Sequence, residues 1–351
     1  MGIRDSLMRA AILSFYDFGE VQGGIELFSR HLAPAFDESE HLTFSQSQRY
    51  SVGPRLTRLN LEFPRMAWAI GRELRRRHEE HPFDVAVSSD ISGLATALTA
   101  PDIPAIMVFH YTYKSFSEAA LSAPHSQDPS RLLTPWMERF AAAGKTVVAV
   151  SPKVKRTLRR QYGIEARLIE NGIPLDIFRP TDKAEARRKL GIDWKGPLGI
   201  FVGRTDRTKG FDIVQAVARA RRDVRILCVS GKGCDLDYMI MAEKVVNSSM
   251  PLYYSAADFL LFPSRYESLS YASIEALACD LPVVASRTGI FEDVDPARVG
   301  VVLRSEDPKD YSKGIDRVLD MHIHPRELAV ERFSIERFRS DYARLAAEVT
   351  S

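Results

Sequence analysis

The chain has 351 residues, of which 45% are hydrophobic and 27% charged, and its net charge is +2. That balance gives a globular protein mass enough for two α/β domains and offers no argument for a nucleic-acid or acidic-polymer partner. Cys228, Cys234 and Cys279 lack paired C-x-x-C spacing, which excludes a zinc or redox site of that kind and reads as free thiols in a reducing cytoplasm.

The N-terminus MGIRDSLMRAAILSF carries an apolar run too short to span a membrane, and no later run approaches about 20 apolar residues, so it reads as a first strand. Gly2 and Ser6 match an N-myristoylation pattern that also arises by chance. Apolar or β-branched runs at 10–15, 84–88, 104–109 and 146–150 then alternate with helical patterns at 24–36, 64–80, 132–143 and 152–162. Such alternation predicts a parallel sheet with helices on its faces. A second series follows with GIFVG (199–203), VRILCVS (224–230), FLLF (259–262) and PVVAS (282–286), giving two doubly wound units in tandem. Gly, Pro and charges interrupt the pattern at 170–197, which places the boundary near 175. The last segment, 331–349, has helical periodicity with Phe338, Tyr342 and Leu345 on one face.

Several motifs fall at strand ends. In YDFGEVQGGIELFSRHL (16–32), Gly23 and Gly24 precede a helix, where they let a ligand approach the backbone and leave the first helical N–H groups free for an anion or sugar hydroxyl. A tight turn explains the same pair. In VGRTDRTKGFD (202–212), Arg204, Arg207 and Lys209 lie between a strand and a helix, a place suited to a diphosphate; the alternative is a solvated basic loop. There is no G-x-x-x-x-G-K-[ST], and SGKGCD (230–235) fits neither that motif nor G-x-G-x-x-G.

The stretch PSRYESLSYASIEALACDLPVV (263–284) sets Glu267 and Glu275 between two apolar runs. In one continuous helix they would stand ~12 Å apart along the axis, so a loop must precede the helix if both are to reach one ligand. Ribose hydroxyls are suitable donors to such acids at the carboxyl end of a strand; the alternative is one helix-entry carboxylate and one exposed acid. His110 also follows a strand, where a neutral imidazole can donate to or accept from a sugar hydroxyl or serve a structural end. CDLDY (234–238) contains Asp-x-Asp, a pattern that can hold a divalent metal, but no further oxygen ligands cluster beside it.

Taken together, the motifs resemble the retaining glycosyltransferases of the GT-B fold, especially the large family four, or glycosyl transferases group 1, that uses nucleotide-sugar donors. The resemblance covers nearly the whole chain: the Gly-Gly loop, VSPKVKRTLRRQYGI (150–164), ENGIPLDIFRP (170–180), VGRTDRTKGFD (202–212), YYSAADFLLFPSRYESLSYASIEALACDLPVVAS (253–286) and FSIERF (333–338). It implies an α/β GT-B fold of two Rossmann-like doubly wound domains facing a cleft. Residues 1–175 would be the acceptor-side domain, 176–330 the nucleotide-sugar-binding domain, and 331–351 a C-terminal helix packing back on the first.

By the same resemblance, Arg204 and Lys209 hold the donor diphosphate, Glu275 binds the ribose and Glu267 contacts the donor sugar. Ser268, Leu269 and Ser270 share that donor loop, Gly23 and Gly24 approach the donor, and His110 stands near the sugar hydroxyls and the reaction centre. His110, Arg204, Lys209 and Glu267 form the implied catalytic set. No cofactor or metal is implied, because the cations and a helix N-terminus would stabilise the leaving diphosphate. The nucleotide diphosphate sugar is a co-substrate.

Three departures stand out. Glu267-Ser268-Leu269-Ser270 replaces the family's usual Glu-Gly-Phe-Gly, leaving Ser270 to cap the following helix. Asp280 stands where Gly is common, in a residue type that tolerates the left-handed conformation. The strand whose Gly-bearing loop usually cradles the base is degraded to EKVVNSSM (243–250).

The implied activity is transfer of a hexosyl group, with retention, to a hydroxyl acceptor: a glycan, a lipid-linked molecule or a small molecule. The alternatives are a non-catalytic GT-B subunit that binds a nucleotide sugar or acts as a scaffold, and a nucleotide-sugar epimerase on the same fold. RMAWAIGRELRRRHEEH (65–81) and KVKRTLRRQYG (153–163) add basic residues that suit peripheral contact with the inner face of a membrane; the alternative for the first is a core-facing helix with a solvated charged side.

Overall fold

The computed structural model describes residues 7–17, 23–48, 62–120, 130–230, 238–243 and 245–351. Gly2, Ser6, Cys234 and the two aspartates of 234–238 lie outside them, as does most of SGKGCD. The chain divides into two compact units: Met1–Gly172 with Glu336–Ser351, and Ile173–Ile335.

The first unit holds β1 (Arg9–Leu13), β2 (Glu38–Leu42), β3 (Val85–Ser89), β4 (Ala105–Phe109), β5 (Thr146–Ala149) and β6 (Arg167–Leu168). All pair in parallel in the order β2-β1-β3-β4-β5-β6. The central strands are buried on both faces, hence their unbroken apolar runs. Helices α1 (Gly24–Leu32), α2 (Glu62–Glu80) and α3 (Ser130–Ala142) belong to the same unit.

Helix α2 is amphipathic in the ordinary globular sense. Met66, Ile70 and Leu74 are buried, and Arg75, Arg76 and Arg77 are engaged within the unit. Arg75 reaches Glu79 at 2.7 Å and Asp102 at 2.8 Å, Arg76 pairs with Glu80, and Arg76 and Arg77 meet the buried Glu73 at 2.7 and 2.9 Å. A buried carboxylate is tolerated there because two guanidinium groups compensate its charge. This is the core-facing arrangement with a charged side paired to itself. No helix among the described residues is long and apolar enough to cross a membrane.

The second unit holds β7 (Leu198–Val202), β8 (Arg225–Ser230), β9 (Met239–Glu243), β10 (Phe259–Phe262), β11 (Val283–Ser286) and β12 (Gly300–Leu303). They are parallel in the order β12-β11-β10-β7-β8-β9. Alternate residues feed two cores. Ile200, Leu260 and Val283 face one, and Phe201, Leu261 and Val284 the other. The covering helices are α4 (Phe211–Ala220), α5 (Met250–Ala256), α6 (Tyr271–Ala278), α7 (Pro308–Leu319) and α8 (Arg326–Arg332).

The strand read as degraded at 243–250 is present a few residues earlier, as β9, paired with β8 from Ile226↔Met239 to Ser230↔Glu243. Its outer position leaves it half-buried and therefore weakly apolar. Asp280, just after α6, has φ 60; its carboxylate accepts the Arg326 N–H at 3.0 Å and meets His324 at 3.1 Å. Within 170–197, Phe178, Ala186 and Ile192 enter the core of the second unit.

The final helix, α9 (Ile335–Thr350), returns to the first unit. Phe338 and Tyr342 are fully buried there, with their rings edge-on to Phe28 at 5.5 and 5.8 Å. Such aromatic contacts add to the area they bury. We expect Phe338→Ala to destabilise the first unit by about 3–5 kcal/mol in denaturant unfolding. A loss below about 1 kcal/mol would mean that α9 is not part of that core.

Candidate functional site

In the second unit the chain builds β7, β8 and β9 outward in one direction, then returns to lay β10 on the other side of β7. The loops leaving β7 and β10 must therefore diverge over opposite faces of the sheet, which opens a crevice at their carboxyl ends. Residues 203–210 and 263–270 are those loops, and they contain Arg204, Arg207, Lys209, Glu267, Ser268, Leu269 and Ser270, all marked by the sequence.

The first loop is a tight turn. Asp206 accepts the Lys209 N–H at 3.1 Å and the Arg204 Nε at 2.6 Å. Gly210, with φ 69, then turns the chain into α4. A Cβ on Gly210 would lie 2.0 Å from the Pro263 carbonyl oxygen, so only glycine lets the two loops touch. Arg265 fastens them further: its N–H donates to the Thr208 carbonyl at 2.8 Å, and its guanidinium reaches the Arg207 carbonyl at 2.6 Å and Asp212 at 2.7 Å.

This scaffold brings Lys209 Nζ to 2.6 Å from Glu267 Oε1, with both side chains largely buried. A third loop, after β11, completes the setting. The Glu267 N–H donates to Thr288 Oγ1 at 3.0 Å, and a Cβ on Gly289 would stand 2.9 Å from the Glu267 Cβ. Arg204 remains mostly exposed beside Asp206. Ser268, Leu269 and Ser270 are half-buried. Ser270 occupies the N-cap position of α6 without a side-chain capping bond; its carbonyl instead accepts from the Ser273 hydroxyl at 2.7 Å. The Ser270 side chain therefore does not take the capping role read from the sequence; its carbonyl also accepts the Ser273 backbone N–H at 3.2 Å.

Glu275 sits on α6 and is buried. Tyr254 Oη donates to its Oε2 at 2.9 Å and Asn247 Nδ2 to its Oε1 at 3.3 Å. Burial pushes its carboxyl up to about 7 despite those two bonds.

In the first unit, Gly23 is the N-cap of α1, and Glu26 in the first turn carries a largely buried carboxylate held by the Gly23 and Glu26 N–H groups. The N-cap donor and one of the first helical donors are thus taken by the helix's own acid, as in half of a capping box. His110 follows β4 and is buried edge-on against Phe28, with ring centroids 4.6 Å apart. Its Nε2 stands 3.3 Å from Ser89 Oγ, and burial pushes the imidazole down to about 3. Its N–H donates to Asp90 Oδ1 at 2.9 Å. Asp90 has φ 48, and its Oδ2 is sealed from solvent without a hydrogen-bond partner among the described residues. A strained, incompletely satisfied acid of this kind is tolerated chiefly at working sites.

Two family models match the chain. Residues 23–177 match Glycosyltransferase Family 4, and residues 196–321 match Glycosyl transferases group 1. The chain belongs to glycosyltransferase family four.

Similar members of curated identity include a D-inositol 3-phosphate glycosyltransferase from Acidothermus cellulolyticus, 31% identical over 62% of this chain and 55% of the relative. One from Xylanimonas cellulosilytica is 28% identical over 73% of this chain and 68% of the relative. The chain thus spans little more than half of the first of these. Among solved structures, the sucrose-phosphate synthase of Thermosynechococcus elongatus has a TM-score of 0.79 at 20% identity, covering 97% of this chain and 99% of its own. Anabaena HepE in complex with UDP-glucose has a TM-score of 0.74 at 16% identity, covering 97% and 100%. These likenesses establish the GT-B fold.

The structure of this family-four chain thus brings together Lys209 and Glu267, with Ser268, Leu269 and Ser270 in the same loop and Arg204 on the neighbouring one. It holds Glu275 on the next helix; Gly23, Gly24 and His110 belong to the other unit. Arg265, Thr288, Gly289, Tyr254, Asn247 and Asp90 escaped sequence reasoning. Only Thr288-Gly289 carried a usable signal, a glycine just beyond a strand like the one at 203.

The raised carboxyl of Glu275 has a stability signature. Between its ordinary value of 4.5 and about 7 the folded chain binds more protons here than the unfolded one, so stability falls as pH rises through that window. Glu275→Gln is expected to flatten the slope, seen in denaturant midpoints from about pH 5 to about pH 8. Parallel wild-type and variant curves would refute the desolvation argument.

Proposed function

We propose that this chain transfers a glycosyl group from a nucleotide diphosphate sugar to a hydroxyl acceptor, with retention of anomeric configuration. The observation that carries the reading is the approach of Lys209 to Glu267 within 2.6 Å at the reversal of strand order. The names of the family-four relatives and the UDP-glucose bound by HepE support it.

In this reading the bond between the anomeric carbon and the diphosphate oxygen breaks, and its electron pair leaves on the diphosphate. The acceptor oxygen bonds to the same face of the sugar, and its proton passes to the departing phosphate oxygen. Lys209 and Arg204 neutralise the charge that develops. An ammonium carries three donors, so Lys209 can hold Glu267 and a phosphate oxygen together. Preorganised donors of this kind contribute roughly 3–4 kcal/mol each, which makes a metal cofactor unnecessary.

Glu267 would orient the sugar hydroxyls and Glu275 the ribose. His110, kept neutral by burial, is suited to hydrogen-bond a hydroxyl group and not to act as a cation.

Lys209→Ala should lower transfer by about 10²–10³-fold with circular dichroism unchanged, and Glu275→Ala should chiefly raise the donor KM. Undiminished turnover in Lys209→Ala would sink the assignment. Donor binding without nucleoside diphosphate release across an acceptor panel would favour a binding subunit, and NMR-detected change in the donor alone an epimerase.

A lipid-linked acceptor at the inner face of a membrane is a second reading, supported by α3. Leu133, Trp136 and Phe140 lie on one helical face and are 47%, 70% and 56% exposed, with Arg139 beside Trp136. Aromatic side chains flanked by cations suit an anionic interface. Wild-type chain is expected to sediment with anionic vesicles and the Trp136→Glu, Phe140→Glu double variant to stay in solution. Equal behaviour of the two would discard this reading.

A further inference from the structure

The second unit contains a residue, Asn247, that the transfer reading leaves without a role; it is bonded to Glu275. Glu275 has two oxygens in different circumstances. Oε2 accepts from Tyr254, whose side chain is fully buried, and that side of the carboxylate faces the core. Oε1 accepts from Asn247, which is only half-buried. Asn247 thus ties the buried acid to a residue that is itself partly open to solvent.

A carboxylate offers about four lone-pair sites, and these two bonds leave capacity for hydroxyl donors. Asn247 also comes from the turn Asn247–Ser249 that follows β9, in the segment where the family's usual glycine-bearing loop is missing. A side-chain amide there ties that turn to the acid on α6. A backbone loop that lacked the amide would leave Oε1 free to swing.

We propose that Asn247 is a positioning residue for the nucleoside: its amide fixes the Glu275 carboxylate in the orientation that takes the ribose hydroxyls. The proposal rests on the assignment of Glu275 to ribose. The other groups facing that carboxylate are Tyr254 from α5 and, from α6 and its end, Tyr271 and the buried thiol of Cys279. Arg326 of α8, which donates to the Ala278 carbonyl, acts on Cys279 from behind. Of these, Tyr254 donates to Oε2, and Tyr271 is half-buried like Asn247.

The test is calorimetric titration of the full chain with UDP, GDP and ADP and with their 2′- and 3′-deoxy counterparts, across pH 6 to 8.5 or thereabouts. For the nucleotide that binds, the wild type should prefer the ribose form. Asn247→Ala should weaken that form by about tenfold while leaving the deoxy forms almost unchanged, so that the preference collapses. Asn247→Asp places a second acid beside Glu275; it should also lose the preference and shift the pH of half-maximal affinity upward.

Equal weakening of ribose and deoxy forms, or an unaltered preference in both variants, would overturn the role of Asn247. Glu275→Ala separates the two levels. If it abolishes the preference while Asn247→Ala retains it, only the role of Asn247 fails; if it retains the preference, the ribose assignment itself fails, and with it this proposal. Wild-type chain that binds none of the nucleotides, or shows no ribose preference, would end both.

Discussion

Lys209 and Glu267 can meet because the chain reverses its strand order between β7 and β10. In a sheet whose strands were added in one direction only, the loops after successive strands would cross over a common face and close the space between them. The reversal opens that space and sets two loops at its rim. Everything else near the ion pair keeps the rim narrow: the absent side chain at Gly210, the carbonyl clamps of Arg265, and the Thr288-Gly289 turn beneath Glu267. The pair is better understood as the product of this topology than as its cause, since two buried charges repay their desolvation only when geometry holds them close.

Glu275 expresses a different compromise. A carboxylate in an apolar helix costs stability, and two hydrogen bonds do not offset the loss of water around it. The proposed ribose contact would give a reason for tolerating the loss, because an acid kept from water binds a hydroxyl more strongly than a solvated one. His110 in the other unit follows the same rule with opposite sign, since burial removes its charge and leaves an imidazole fitted to neutral hydrogen bonding.

The sequence made the inner strands plain and the outer ones faint, for one physical reason. β3, β4, β7 and β10 are covered on both faces and read as continuous apolar runs. The four strands that escaped notice, β2, β6, β9 and β12, are the four sheet edges, where Glu38-Ser39-Glu40 or Arg167 can face water without cost. The site divided similarly. Residues whose type is costly outside a role, such as Glu267, Glu275 and Lys209, could be picked out by position alone. Arg265, Thr288 and Asn247 could not, because each works through a partner far away in sequence: Arg265 through Asp212, Thr288 through Glu267, Asn247 through Glu275. Nothing local marks such a partnership. Glu26 is the converse case, since the glycine turn carries its own acid three residues on and nothing at the turn announces that pairing.

The return of α9 bears on how the molecule is made. The second unit is one continuous stretch, Ile173–Ile335, and can close its core as soon as it has left the ribosome. The first unit cannot. Phe28 must wait for Phe338 and Tyr342, which are synthesised after the whole of the second unit. During translation, therefore, the earlier unit waits with an uncovered aromatic patch while the later one folds. Chaperone capture or aggregation of a stalled nascent chain should begin at that patch, in the half of the protein that was made first.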